Sequence, residues 1–398
     1  MPLIKRATSK RPLVASLGAF FGTPDPGRAT NEAARVSAVL QRRSFLAGMA
    51  TVLLLTFSAI APLPYVIEHP GPTVDVLGDY RGQKLITVPD EQQVGGPLRM
   101  TTVSVSGLPG DSILAMPLTF GVFNSKLGVM PRELLFPEGQ TAEENREISA
   151  AQMNSSQENA SIAALESMGR KVPVNLEVAG FTEGSSAAEQ AKVGDIVKTV
   201  AAPGHEVLDA SSYRDVIGLM STIAPGTNVK VTVERDGKPV DLAITTMDPP
   251  VNPDGTPQRE GSLLGLALYA HPKEKLDIDF GVGDRIGGPS AGLMFALGII
   301  DMMTPGPLTG DASVAGTGTI SLDGAVGPIG GIRQKMWGAK RDGASYFLIP
   351  EANCAETIGH VPDGLQGIKV QRLDDALAAV KSIAAGDTSK LATCEAPS

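Results

Sequence analysis

Tryptophan occurs once in these 398 residues, cysteine twice and histidine four times. Each scarcity excludes a class of chemistry. His69, His205, His271 and His360 are scattered singly, and neither Cys354 nor Cys394 has a partner at metal-ligand spacing, so no metal site is expected. No G-x-x-x-x-G-K-[ST] phosphate loop occurs, and Gly237-Lys238 is followed by proline. ATP chemistry is therefore not expected from these residues, nor is any other cofactor. Aromatic residues make up 4% of the chain, whereas Gly and Pro together approach a fifth, a composition that fits many short loops around compact α/β or α+β units. Basic charge is concentrated at one end. Residues 1–44 carry Lys5, Arg6, Lys10, Arg11, Arg28, Arg35, Arg42 and Arg43 against Asp25 and Glu32, a balance of +6 within an overall −9. The remainder is acidic, a poor surface for nucleic acid.

Charge is missing altogether from 45–61, and the chain stays apolar through Ile67. That length suits a transmembrane anchor over 45–67. Arg42 and Arg43 flank it on one side, while Glu68, Asp75 and Asp79 follow before Arg81. The positive-inside rule then places 1–44 in the cytoplasm as a basic tail and the rest outside a plasma membrane. Gln41-Arg42-Arg43-Ser44-Phe45-Leu46 also looks like a twin-arginine export signal, and Ala59-Ile60-Ala61 like a signal-peptidase site. Pro62 after that cut and the long basic region favour an uncleaved anchor. On the outer side, Cys354 and Cys394 are a disulfide candidate, with two unpaired thiols as the alternative.

Taken in order, 31–41 predicts a short helix leading into the anchor and 100–105 a strand; 120–145 carries no clear pattern. A helix is expected over 147–168, burying Ala150, Met153, Ala160, Ile162, Ala163 and Met168. A compact β-rich unit follows at 175–248, with a short helix at 185–191, another at 213–222, and strands at 229–233 and 240–244 joined by the hairpin signal Asp236-Gly237. A Pro- and Gly-rich link at 248–261 leads to a last domain at 262–385, with strands at 264–269, 276–280, 313–315, 319–322 and 346–350 and helices at 332–341 and 374–384. Residues 386–398 form a tail.

The chemistry gathers at Gly287-Gly288-Pro289-Ser290-Ala291-Gly292, a tight turn opening an apolar run to Met303. Ser290 stands at the mouth of a helix buried nearly all round, where free N–H groups and the positive dipole end converge. The bland alternative is that Ser290 caps the helix. The stretch also satisfies the G-x-S-x-G elbow of α/β-hydrolases, but His360 is the sole histidine downstream. A second Gly-rich turn, Gly327-Pro328-Ile329-Gly330-Gly331, opens a helix with Lys335 one turn inside. Held against Ile329, Ile332, Met336, Trp337 and Ala339, a lysine loses charge more readily and can serve as a base. Beside Arg333, Lys340 and Arg341 it could equally be one cation of a solvated helix face.

Two resemblances add to this reading. Gly184-Ser185-Ser186-Ala187-Ala188, Gly194-Asp195-Ile196, Pro225-Gly226 and Glu234-Arg235-Asp236-Gly237 resemble a PDZ domain of the bacterial protease type, which binds extended peptides by strand addition. Gly288-Pro289-Ser290-Ala291-Gly292 is similar to the serine motif of Lon-type proteases. Ala315-Gly316-Thr317-Gly318-Thr319-Ile320, Asp323-Gly324, Val326-Gly327-Pro328-Ile329-Gly330-Gly331 and Lys335 resemble that family's lysine block, over roughly 262–385. The whole chain resembles bacterial membrane-anchored PDZ–Lon-like serine proteases. That resemblance implies an α+β fold: a Lon-type protease domain with an inserted PDZ domain, 68–174 supplying its N-terminal part, and one N-terminal transmembrane helix. It further implies Ser290 as nucleophile, Lys335 as base and Thr317, Gly288 and Ala291 as catalytic support. The substrate-binding residues stay unassigned, the partners are protein or peptide substrates, and a homo-oligomer is compatible. Two positions depart from the family: Gly287 where many Lon enzymes carry an acidic residue, and Thr319 where they carry glutamate. The expected function is an ATP-independent serine endopeptidase anchored in the membrane. Its rival is a membrane-tethered PDZ peptide-binding adaptor with an inactive or gated protease domain, against which the intact Ser290–Lys335 pair argues.

Overall fold

The computed structural model describes residues 26–251, 257, 259–283 and 286–394. The expected basic tail before residue 26, most of the link at 252–258 and the end of the C-terminal tail lie outside the described residues. Two compact units are present.

One unit is built on α1 (Pro26–Ile60), so the expected short helix and the first part of the expected anchor are one helix. That helix stops at Ile60. The segment expected to continue it to residue 67 does not do so, because Pro62 and Pro64 lack the N–H a helix needs. Among the described residues no helix is long and apolar enough to cross a membrane.

The second unit begins with β1 (Tyr65–Asp75), β2 (Leu98–Ser106), α2 (Ala115–Phe123, from Pro117 onward), β3 (Gly128–Pro131) and α3 (Ala142–Ser167). Next come β4 (Val174–Phe181), β5 (Ile196–Ala201), α4 (Tyr213–Ser221), β6 (Asn228–Arg235) and β7 (Lys238–Thr245). The chain ends with β8 (Leu266–Pro272), α5 (Gly292–Met303), β9 (Val314–Gly316), α6 (Ile332–Arg341), β10 (Tyr346–Pro350), β11 (Gln366–Val370) and α7 (Leu373–Ala384). Val66 and Ile67, read from sequence as the end of an anchor, are core residues of β1.

Two sheets result. The first runs β7-β6-β5-β4-β8 and is antiparallel throughout. Its hairpin turns at Asp236 and Gly237, both at positive φ, as the Asp-Gly pair requires. The alternation in β6 buries Val229, Val231 and Val233. Strand β8, which the sequence assigns to the last domain, pairs with β4 from Leu266–Phe181 to Pro272–Val174. An alternating pattern tells a strand that it has a buried face, not which sheet it joins.

The second sheet runs β11-β10-β9-β2-β1-β3. Strand β2 lies parallel to β9, with Leu98 opposite Val314 and Met100 opposite Gly316, so chain from both sides of the first sheet builds this one. Helix α5 is buried from Gly292 to Met302, as its unbroken apolar run demands. Its single charged residue, Asp301, is fully buried and accepts the Leu308 N–H at 2.9 Å. Helices α3 and α7 pack on α5, and α6 packs on β1 and β2. The unpatterned stretch around 120–145 holds the end of α2, β3 and the start of α3. That start is set by a capping box, in which the Glu144 N–H donates to Thr141 Oγ1 and the Thr141 N–H to Glu144 Oε2.

Candidate active site

Helix α5 takes Ala291 as its N-cap, with no side-chain cap, so the Ser290 hydroxyl is not spent on capping. Gly288, at φ +88°, makes the turn that brings Ser290 to the helix mouth. Lys335 arrives from the other side. Its helix α6 starts from Gly331 at φ +67°, where a Cβ would also lie 2.6 Å from Val103 Cγ2. Glycine is required there for both reasons. The lysine is 3% exposed, not a solvated cation of the helix face.

Its ammonium nitrogen donates to Ser290 Oγ at 2.8 Å and to Thr317 Oγ1 at 3.0 Å. Thr317, itself fully buried, donates its own hydroxyl proton to the Ser290 carbonyl at 3.0 Å. Burial pulls the Lys335 pKa down to about 7, while the negative charge of Glu68 opposes that fall. A shift of this size moves the amine from always charged to half neutral near neutral pH. Glu68, on β1, is 6% exposed; burial raises its pKa, the Lys335 charge lowers it and Glu356 raises it again.

The backbone around Ser290 is divided in its availability. The Gly288 N–H donates to the Ser149 carbonyl at 2.9 Å, so it is not free to meet an oxyanion. The Leu293 N–H goes to the Gly318 carbonyl at 3.1 Å. Among the described residues, the N–H groups of Ser290 and Ala291 have no acceptor. A cleft of about 1150 Å³ opens over the site, walled by Thr101 to Val105 of β2, the first half of α3 and Pro328 to Gly330. One wall is fixed by Asn353, whose side chain accepts the Ile329 N–H at 3.0 Å and donates to its carbonyl at 2.9 Å.

Both departures from the Lon pattern have a steric setting. A Cβ at Gly287 would fall 2.7 Å from Ser149 Cβ, so α3 occupies the place where an acidic side chain would stand. Thr319 sits in a two-residue ladder facing Gly327, where a Cβ would come 2.3 Å from Thr319 Oγ1. Among the described residues no cluster of His, Cys, Asp and Glu could hold a metal ion. Cys354 and Cys394 are joined as a disulfide, Cα to Cα 5.1 Å, remote from the hydroxyl–amine pair in role and packed on the small core of Ile332, Met336 and Phe347.

Sequence reasoning brought Ser290, Lys335 and Thr317 together. It missed Glu68, Ser149, Ser156 and Asn353. Glu68 was visible only as the first charge after an apolar run, and nothing local marks the two serines of α3.

Known proteins agree with the serine and lysine blocks. Residues 270–382 match the family model of the Lon protease (S16) C-terminal proteolytic domain. Lon protease of Rhizobium meliloti is 41% identical over 95 residues, which is 23% of this chain and 11% of that protein. Lon protease 2 of Bacillus subtilis is 39% identical over 102 residues, 26% of this chain and 18% of that protein. The chain thus spans only a small fraction of the curated relatives' length. Among solved structures, the PDZ domain of the SdrC-like protein of Listeria monocytogenes covers 23% of this chain and 85% of its own at 18% identity and a TM-score of 0.19. The PDZ domain of the corresponding Listeria innocua protein covers 25% and 99% at 19% identity and a TM-score of 0.19. Residues 270–382, which hold both the Ser290 and the Lys335 blocks, are thus similar to the Lon-type proteolytic domain.

Proposed function

We propose that the chain is an ATP-independent, membrane-anchored serine endopeptidase acting through a Ser290–Lys335 dyad on unfolded or small protein substrates. The observation that carries this reading is the 2.8 Å contact between Lys335 Nζ and Ser290 Oγ, made by a lysine 3% exposed. The Thr317 hydroxyl donates its hydrogen bond to the Ser290 carbonyl, so toward Lys335 it acts as an acceptor. In the neutral amine this leaves the nitrogen lone pair to face Ser290 Oγ. Oγ then bonds the scissile carbonyl carbon while its proton passes to Nζ. Collapse breaks the C–N bond, and the Lys335 ammonium protonates the leaving amine. Water, losing a proton to the same amine, hydrolyses the acyl-serine. The free N–H groups of Ser290 and Ala291 stabilise the oxyanion in both halves.

Two further parts belong to the proposal. The antiparallel sheet β4–β8 is a PDZ unit that captures peptide substrates; its edge strand β8 offers unpaired backbone for strand addition, beside an exposed Tyr269. The uncharged run in α1 holds the chain at a plasma membrane with the N-terminus cytoplasmic and the catalytic unit outside. Exposure of Phe45, Leu46, Val52, Leu53 and Phe57 supports that placement.

The test is cleavage of unfolded casein without ATP by the detergent-solubilised full chain, comparing wild type with Ser290→Ala and Lys335→Ala. Loss in both variants is expected, with a fluorophosphonate probe labelling wild type but not Lys335→Ala. Undiminished cleavage by either variant would sink the dyad, and silence from all three would shift the reading to a peptide-binding adaptor.

A further inference from the structure

The nucleophile loop is held from outside the stretch that matches the Lon family. Helix α3, residues Ala142–Ser167, lies against it at two points. The Ser149 carbonyl accepts the Gly288 N–H at 2.9 Å. Seven residues on, the Ser156 hydroxyl, 3% exposed, donates to the Pro289 carbonyl at 3.0 Å. Both contacts need glycines in the loop. A Cβ at Gly287 would meet Ser149 Cβ at 2.7 Å, and one at Gly292 would meet Ser156 Oγ at 2.8 Å. Two glycines flanking the nucleophile therefore make room for this helix, one of them at the position where the loop departs from the family pattern.

The consequence follows from peptide geometry. In a trans peptide the carbonyl and the next N–H point in opposite directions within one plane. Fixing the Pro289 carbonyl on Ser156 fixes the direction of the Ser290 N–H. On the next peptide, the Ser290 carbonyl accepts from Thr317 Oγ1 at 3.0 Å and from the Gly318 N–H at 2.9 Å, which fixes the Ala291 N–H. These are two N–H groups beside the nucleophile without an acceptor among the described residues. Thr317 and Gly318 hold one of them; Ser156, together with a longer 3.5 Å bond from the Gly292 N–H to the same carbonyl, holds the other.

We propose that Ser156 is a positioning residue for the reaction: by anchoring the Pro289 carbonyl it locks the peptide plane that presents the Ser290 N–H to the oxyanion. This rests on the Ser290–Lys335 reading and adds to it a specific device for preorganising the oxyanion site. Ser156 touches neither substrate nor the reacting atoms. Its loss loosens a donor needed in the transition state and leaves ground-state binding in the cleft untouched.

The experiment uses the full chain in detergent, with casein as substrate and sites counted by end-point titration with a fluorophosphonate. Ser156→Ala is expected to lower kcat per titrated site about tenfold or more, with KM within about twofold of wild type. Affinity for a peptide boronic acid, whose tetrahedral adduct fills the oxyanion site, falls by the same factor, while affinity for a cleaved product peptide does not change. Ser156→Cys, nearly the same shape with a weak donor, gives a smaller loss of the same kind. Asn159→Ala is the control on the same helix: its side chain reaches the Ile320 carbonyl at 3.4 Å, not the nucleophile loop, and kcat should hold. A kcat per site for Ser156→Ala within twofold of wild type overturns the proposal, as does a parallel loss of boronate and product affinity. Should Ser290→Ala cleave as wild type does, the dyad reading falls first and takes this inference with it.

Discussion

The two sheets of the larger unit are assembled in different ways. Strands β4 to β8 come from one stretch, 174–272, and pair antiparallel. Strands β1 to β3 and β9 to β11 come from two stretches separated by that whole insertion, and their junction is the parallel pairing of β2 with β9. The first sheet closes entirely within 174–272, whereas the second needs a closure of about two hundred residues. The site lies on the second sheet's seam. Ser290, Thr317 and Lys335 come from the later stretch; Glu68, the β2 wall and α3 come from the earlier one. The difference teaches that Ser290, Thr317 and Lys335 lie within the family match at 270–382, whereas Glu68, β2 and α3, which flank them, lie outside it.

The sharpest way to break this comparison is to damage each region and ask what is lost. On the proposed dyad the two groups act as one unit, so Ser290→Ala and Lys335→Ala should each lower kcat/KM by about 10⁴-fold or more with the fold intact. The thermal unfolding transition checks the second half of that statement. The first sheet has its own buried ion pair. Arg235 donates to Asp195 at 2.8 and 2.7 Å, and the Asp195 side chain is 1% exposed. Arg235→Ala should destabilise that sheet through the carboxylate left behind, seen as a lower unfolding midpoint in denaturant. Hydrogen exchange should quicken across 174–272, while kcat per titrated site stays put. Equal loosening across β9 to β11 would mean that the two sheets unfold as one and that the contrast is only topological.

The same contrast governs what could be read from the sequence. Helix α5 was legible because an apolar run with one charge has no solvated face to offer. The β6–β7 hairpin was legible because Asp236-Gly237 supplies two positive-φ residues side by side. Lys335 was legible as a candidate, yet whether it was solvated or buried depended on Thr317 and Ser290 meeting it from other elements. The segment ending at Ile67 was misjudged, since an apolar run reads alike whether it enters a bilayer or a sheet, and only its pairing with β2 and β3 distinguishes them. Glu68 escaped for the same reason. Its burial beside Lys335 is produced by a helix more than 260 residues away in sequence.

That distance can be tested through protons. On the proposed dyad Lys335 is a base only when neutral; its pKa is about 7, so kcat/KM should fall about tenfold per pH unit below that value. Glu68 opposes the fall in the lysine's pKa. Glu68→Gln should therefore move the acidic limb to lower pH, and the neighbouring Glu356, unchanged in the variant, cannot account for the displacement. A pH–rate profile of kcat/KM on wild type and variant decides it. An unmoved limb would mean that the early stretch supplies shape to the site but not charge.

The smallest effect expected is on the bolt between the two stretches. Asp342, just past α6, accepts from the Thr73 N–H at 2.9 Å and the Thr73 hydroxyl at 3.0 Å, and Arg341 donates to the carbonyls of Pro70 and Gly71 at 3.1 and 2.8 Å. The Arg341 hydrogen bond, then those from Thr73, hold the Asp342 pKa down at about 2, against 3.8 for a free carboxyl. A depressed folded-state pKa contributes stability above the unfolded value, and that contribution disappears as pH falls through about 2. At a side-chain exposure of 26% the gain is screened, and Asp342→Asn should cost about 1 kcal/mol near neutral pH. In denaturant titrations the gap between wild type and variant should be constant above pH 5 and close progressively between pH 4 and pH 2, on the order of the interval separating the two pKa values. Closure of the gap at higher pH would assign the loss to another carboxylate. Closure in that interval would show that Asp342, beside the Arg341 bonds to Pro70 and Gly71, helps fasten the late helix bearing Lys335 to the early strand bearing Glu68, a fastening the seam requires if charge on one stretch is to tune the lysine on the other.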